Sequence, residues 1–351
     1  MIVNPFLGVL LHAIGGFAAG SFYIPFKKVR GWAWESYWLV GGFFSWIITP
    51  WVLAWLTCPD VMAVLSEAPH GAILWAYVFG LLWGVGGLTF GLTMRYLGMS
   101  LGYALALGYC AAFGFLIPPI FNGEIGGMVT KLSGQVVLLG VLVCLGGIAI
   151  CGKAGMRKEQ ELSADEKQSV MKEFNFIKGL WVALFAGVMS ACMAFAIQAG
   201  KPISELAVKH GTPDLFKNTP AFIVIMAGGF TTNFLWCVAL NIRNKTAGDY
   251  LRAPDASIVI NYIFSALAGI TWYLQFMFYG MGTTRMGRYD FSSWTIHMAF
   301  IIVFSNLWGI LFHEWRGSSR RTHNIVFAGI FVLVLSTAVV GFGNYLAAPH
   351  P

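Results

Sequence analysis

The sequence predicts an all-α polytopic membrane protein whose ten transmembrane helices form two inverted five-helix repeats. Three observations predict it: charge is scarce, apolar runs of about twenty residues follow one another, and one solvated segment divides them five and five. Of the 351 residues, 58% are hydrophobic and 11% charged, with a mean hydropathy of +0.71. A soluble globular protein carries roughly 25% charged residues, so this composition cannot supply a normal wet surface. Cytosolic enzymes, secreted domains and nucleic-acid binders are excluded. The net charge of +7 does not reverse this, because the basic residues form no stripe and read as cytoplasmic Lys and Arg. The lipid bilayer is the implied partner.

Each element follows from a length criterion, since a helix needs about 20 predominantly apolar residues to cross the hydrocarbon core. Ten runs meet it: 5–26, 36–56, 72–94, 99–121, 134–152, 178–199, 220–241, 257–282, 291–313 and 324–347. The first lacks the basic n-region of a signal peptide and is expected to stay as a helix. One long connection, 153–177, carries Lys153, Arg157, Lys158, Glu159, Glu161, Asp165, Glu166, Lys167, Lys172 and Glu173. It reads as a cytoplasmic linker between a first repeat at 1–152 and a second at 178–351. With the N-terminus outside, 16 of the 22 basic residues fall in inward segments, which places both termini outside. Five being odd, the second unit enters the membrane in the opposite sense, the layout of an inverted-topology repeat. A shift of 173 residues superposes Phe22 on Phe195 and Lys28 on Lys201.

Small-residue pairs that let helix backbones approach occur at Gly16/Gly20, Gly80/Gly84, Gly87/Gly91 and Gly98/Gly102. They make spans 1, 3 and 4 better packing candidates than span 5. The six cysteines show no CxxC or Cys/His metal spacing and read as small buried hydrophobes. No metal and no cofactor is expected. Enzyme signatures are missing as well: His313-Glu314 lacks the second histidine of HExxH, and neither GxSxG nor a P-loop occurs.

Ionisable groups inside a bilayer are costly and therefore mark function. No Asp or Glu lies mid-span, and Glu35, Asp290 and Glu314 sit at helix ends, where interfacial solvation is the plain reading. His12 and His297 do lie within spans. Counted from the outer ends of spans 1 and 9, both fall roughly 9–10 Å deep at 1.5 Å per residue. Histidine titrates near pH 6.5 and suits a coupled proton; a neutral imidazole bonding a sugar or a neighbouring helix is the competing reading. In span 8, Trp272, Gln275 and Tyr279 recur at i, i+3 and i+7, on one helix face. Aromatic faces beside amide and imidazole groups suit a neutral polyol. Ser305, Asn306, Tyr109 and Asn233 are further polar groups near mid-span.

Ordered motifs then point to a family. Phe22-Tyr23-Ile24-Pro25-Phe26-Lys27-Lys28-Val29, Trp32-Ala33-Trp34-Glu35 and Gly91-Leu92-Thr93-Met94-Arg95-Tyr96-Leu97-Gly98-Met99-Ser100 resemble the bacterial L-rhamnose–proton symporter family. Trp272-Tyr273-Leu274-Gln275-Phe276, Tyr289-Asp290-Phe291-Ser292-Ser293-Trp294 and His297-Met298 continue the likeness. The resemblance implies the drug/metabolite transporter fold and import of L-rhamnose, or related 6-deoxy or 6-methyl sugars, with a proton across the inner membrane. It implies a cavity lined mainly by helices 1, 3, 4, 6, 8 and 9. The candidate proton carriers are His12 and His297. The candidate sugar ligands are His12, Phe22, Tyr23, Tyr109, Trp272, Gln275, Phe276, Tyr279, Asp290 and His297. A transporter of the same class for another sugar and a non-transporting membrane sugar sensor are the alternatives.

Overall fold

The computed structural model describes residues 3–97, 99–161, 175–253 and 257–348, with Gly91, Arg95, Met99, Ser100 and Tyr103 described in backbone only. Gly98 and linker residues 162–174, among them Asp165, Glu166, Lys167, Lys172 and Glu173, lie outside the described residues. Among the described residues the chain is helical and has no strand. The long helices are α1 (Pro5–Ser21), α2 (Trp34–Thr57), α3 (His70–Leu97), α4 (Met99–Phe121), α5 (Leu132–Glu161), α6 (Phe176–Ala199), α7 (Thr219–Asn244), α8 (Ile258–Met286), α9 (Ser293–Leu311) and α10 (Arg320–Ala347). Tyr23–Phe26 extends α1, and Val61–Glu67, Ile125–Thr130 and Lys201–Lys209 are short helices in the connections.

Among the described residues nine stretches are long and apolar enough to cross a membrane. One of them, Ile258–Leu311, contains both α8 and α9, separated by the 3-10 turn Gly287–Ser292. Their outer faces carry large exposed apolar side chains such as Phe6, Trp55, Leu142, Trp181, Leu235 and Phe331. Exposed apolar area on that scale marks contact with lipid or protein.

The helices pack as two units. The first comprises residues 1–17, 86–194 and 282–351, and the second 18–85 and 195–281. Helices α1, α3, α6 and α8 each pass from one unit into the other along their own length.

In the first unit α5 lies against α10. A Cβ on Gly147 would sit 2.8 Å from the Leu333 side chain, and one on Gly140 would meet the Val340 backbone nitrogen at 2.9 Å. Span 5 is therefore a close-packing helix, contrary to expectation. Its glycines are seven residues apart, two turns on one face, and not the four that small-residue pairs are read by. Gly16 of α1 and Gly102 of α4 do face neighbours closely, Phe300 and the Thr93 carbonyl, whereas a Cβ on Gly87 would meet nothing within 4 Å. α5 runs on to Glu161, past the expected span end at 152, and carries the first charged residues of the 153–177 segment on its last turns. The Glu161 carboxylate accepts from Ser319 N (2.7 Å), Ser319 Oγ (2.7 Å) and Thr322 Oγ1 (2.8 Å) at the start of α10. Lys158 lies over the Trp315 ring at 5.0 Å.

In the second unit, Gly41 of α2 meets Gly269 of α8, and Gly80 of α3 meets Ile225 of α7, backbone against backbone. Glu35 is buried at 4% exposure, so interfacial solvation is not its environment. Its Oε1 accepts from Asn244 Nδ2 (2.9 Å) and Thr246 Oγ1 (2.8 Å), while Asp249 Oδ2 accepts from Ala33 N and Ser36 Oγ, both 2.8 Å. Two carboxylates thus tie the α1–α2 connection to the α7–α8 connection. In that connection Tyr250 donates to Asn241 Oδ1 (2.6 Å).

Candidate functional site

The sequence-predicted residues fall into two groups, one in each unit. In the first unit His12 and His297 are fully buried, with ring centroids 6.2 Å apart and planes at 63°. They come from α1 and α9, the two helices on which the sequence counts them to comparable depth. His297 hydrogen-bonds the backbone carbonyl of His12. Glycine admits the third wall: a Cβ on Gly282 of α8 would stand 2.7 Å from the His12 ring. Tyr109 is half-buried and packs on Gly187, and Asp290 is half-buried in the turn between α8 and α9.

In the second unit Trp272 is the hub of an aromatic cluster. It stacks on Trp83 (5.4 Å, 28°) and meets Trp46 edge-on (5.5 Å, 90°), with Phe276 at 5.0 Å and Phe22 at 6.3 Å. Gln275 and Tyr279 are buried on the same helix, and Tyr23 is exposed beside Phe22. Trp38, Trp46 and Trp83 escaped the sequence reading, since only the fold brings α2 and α3 to the span-8 motif. Trp38 is held by its indole N–H, which donates to Asn233 Oδ1 (3.2 Å).

The placement of Trp46 has a local cause. Pro50 has no N–H to give the Trp46 carbonyl, and α2 widens there into a π-turn at Phe44–Ile48. Thr49 Oγ1 donates to the Phe44 carbonyl (2.7 Å). Single π-turns inside helices are frequent at functional sites. This one carries Ser45 and Trp46, whose Oγ and Nε1 are buried without a hydrogen-bond partner among the described residues, as is Ser265 Oγ on α8. Buried polar atoms left unpaired cost about 1–3 kcal/mol each. The cavity that Ser45 and Trp46 share with Phe22, Trp38 and Trp272 measures only about 10 Å³, room for roughly one water. A larger cavity, of about 250 Å³, lies in the first unit between α4, α5 and α9. Among the described residues no group of three or more His, Cys, Asp or Glu could hold a metal ion.

A sequence model of the L-rhamnose-proton symport protein family matches residues 1–347. The chain belongs to that family. Similar proteins include the L-rhamnose-proton symporter of Cronobacter sakazakii, 39% identical over 340 residues, which cover 96% of this chain and 97% of the relative. The symporters of that name from Shigella sonnei and Escherichia coli are each 39% identical over 343 residues, with the same coverage. Both site groups and the whole of α1 to α10 lie within the matched span.

Proposed function

We propose that the protein imports L-rhamnose and related 6-deoxy sugars with a proton, as a secondary transporter of the bacterial inner membrane and not an enzyme. The observation that carries this reading is the family match across nearly the whole chain. Ten crossings arise when α8 and α9 are counted separately, the Gly287–Ser292 turn marking the reversal. The same reading makes residues 1–152 and 178–351 inverted repeats joined by the cytoplasmic linker 153–177. It puts both termini in the periplasm, in keeping with 16 of 22 basic residues on inward segments.

His12 and His297 carry the coupled proton. Two imidazolium charges 6.2 Å apart in a dry interior would repel strongly, so the pair holds one proton at a time, and one proton moves per cycle. The sugar stacks on Trp272, Phe22 and Phe276, whose faces suit its C–H surfaces and methyl group, and Gln275 meets its hydroxyls. Tyr23, Tyr109, Tyr279 and Asp290 are further ligand candidates on the same helices or the connections beside them. A neutral sugar needs no buried counter-charge, in keeping with spans that hold no acid at mid-depth. Proton and sugar are linked through helices that carry both groups: α1 holds His12 and leads to Phe22, and α8 holds Gln275 and Gly282. Alternating access follows: protonation from outside orders the sugar site, and proton loss to the cytoplasm weakens it.

Proteoliposomes test this. An imposed inward pH gradient should drive L-rhamnose above equilibrium, and a protonophore should abolish the accumulation. His12→Gln should lose accumulation while retaining sugar exchange. Intact gradient-driven accumulation in that variant would remove His12 from the coupling role, and accumulation insensitive to the protonophore would remove the proton altogether.

A further inference from the structure

The cavity of about 250 Å³ in the first unit is enclosed by one face each of three helices. From α5 come Ile148, Cys151 and Lys158, and from α9 come Ile302 and Asn306, with Trp315 just beyond. The recurrence at i, i+3 or i+4, and i+7 or more is that of a single helix face. Glycines at 152, 155 and 309 line the remaining wall and leave the space unfilled.

The lining is graded. Leu107, Ile148, Ile301 and Ile302 form an apolar end, while Asn306, Ser305, Lys158 and Glu314 gather at the other, where α5 leads toward the linker. Trp315 is 8% exposed, and its ring is fixed from above by the Lys158 ammonium at 5.0 Å. Asn306 Nδ2 donates to the Ile302 carbonyl (2.9 Å), which fixes the amide plane.

We infer that this cavity is a second binding site for the transported 6-deoxy sugar, separate from the aromatic cluster of the second unit. An indole platform, an amide, a hydroxyl and two charged hydrogen-bonding groups form a carbohydrate-binding set, and the apolar end receives the methyl group that distinguishes a 6-deoxy sugar. Size narrows the class further. Small-molecule pockets run from roughly 300 Å³ upward, so about 250 Å³ fits one monosaccharide and not an oligosaccharide. The aromatic cavity holds about 10 Å³, too little for a sugar, whereas the first-unit cavity has room for one. It is a waiting site on the transport path, and this inference rests on the reading of the protein as a rhamnose carrier.

Cys151 reports on it directly, being half-buried in the lining while the other five cysteines are buried. The rate of its modification by a small methanethiosulfonate is measured on the full-length protein, by mass spectrometry of the Cys151 peptide. L-rhamnose at about ten times its half-saturating concentration should slow that rate roughly tenfold, by simple occupancy. Asn306→Ala should raise the sugar concentration needed for protection roughly tenfold, the loss of one good hydrogen bond. Protein that transports L-rhamnose but shows no protection of Cys151 overturns the second site, as does protection that Asn306→Ala leaves unaltered. Protein that fails to transport the sugar overturns the carrier reading instead, whatever Cys151 reports.

Discussion

The aromatic cavity of the second unit is closed to about 10 Å³, whereas the graded cavity of the first stands open at about 250 Å³. Both are lined by glycine, and the difference lies in what each glycine faces. On α2 and α8, Gly41 meets Gly269, the backbones touch, and the rings on either side are drawn together. On α5, Gly152 and Gly155 line the open cavity, and Gly309 of α9 borders it beside Trp315. The same residue type therefore closes one site and opens the other. The closed site is dominated by rings, with unpaired polar atoms on Ser45 and Trp46. Opening it requires Trp46 to move, and Trp46 sits on the π-turn, where the helix ladder is already interrupted. The open site needs no such movement. A carrier with these two sites would recognise its sugar stringently at the first and hold it loosely at the second.

Substitution of the two hub tryptophans tests that division, and the larger effect is expected at the closed site. Trp272→Phe keeps an apolar ring but loses contact with some of the four rings around it. Each ring contact is worth about 0.5–1.5 kcal/mol, so KM for L-rhamnose uptake should rise roughly tenfold, with the maximal rate little changed. Trp315→Phe should leave KM for outside uptake within about twofold, because it removes one platform at a loosely held site. Steady-state uptake at graded sugar concentrations distinguishes them. Equal shifts in KM would mean that the two cavities do not differ in stringency.

Much of this arrangement was legible in the sequence, for local reasons. Length and hydropathy located the long helices to within a few residues at most ends, because crossing a membrane is a requirement on each segment separately. The comparable depth of His12 and His297 followed from counting along two helices of the same polarity, whereas their contact depends on how α1 and α9 pack. The remainder depended on distant partners. Trp46 and Trp83 meet Trp272 only after three helices assemble, and no spacing within any of them announces it. Glu35 looked like an interfacial acid because its ligands Asn244 and Thr246 lie some two hundred residues away in the chain. Gly140 and Gly147 repeat at seven residues, a spacing that the four-residue small-residue pair does not single out. Pro50 was visible, and it accounts for an interrupted ladder, yet it does not say which side chain the π-turn will redirect.

The contrast between the glycines of the two cavities is tested by a pair of alanine substitutions. An alanine Cβ at Gly42 would stand 2.5 Å from the Trp46 ring, which is 4% exposed and packed among Trp38, Trp83 and Trp272. At Gly309 the nearest atom, Trp315 Nε1, is 3.1 Å away, and the wall behind it borders the open cavity. Gly42→Ala should therefore cost about 1–3 kcal/mol by overpacking. Gly309→Ala should be near neutral, because relief of glycine's unfavourable helix propensity, about 0.5–1 kcal/mol, offsets a small adjustment of the indole. Thermal unfolding in detergent, followed by intrinsic fluorescence, compares the two variants with the parent protein. A lower melting temperature for Gly42→Ala alone sustains the contrast. If both variants melt together, the aromatic cavity has slack that its volume conceals, and Trp46 would open the site without help from the π-turn.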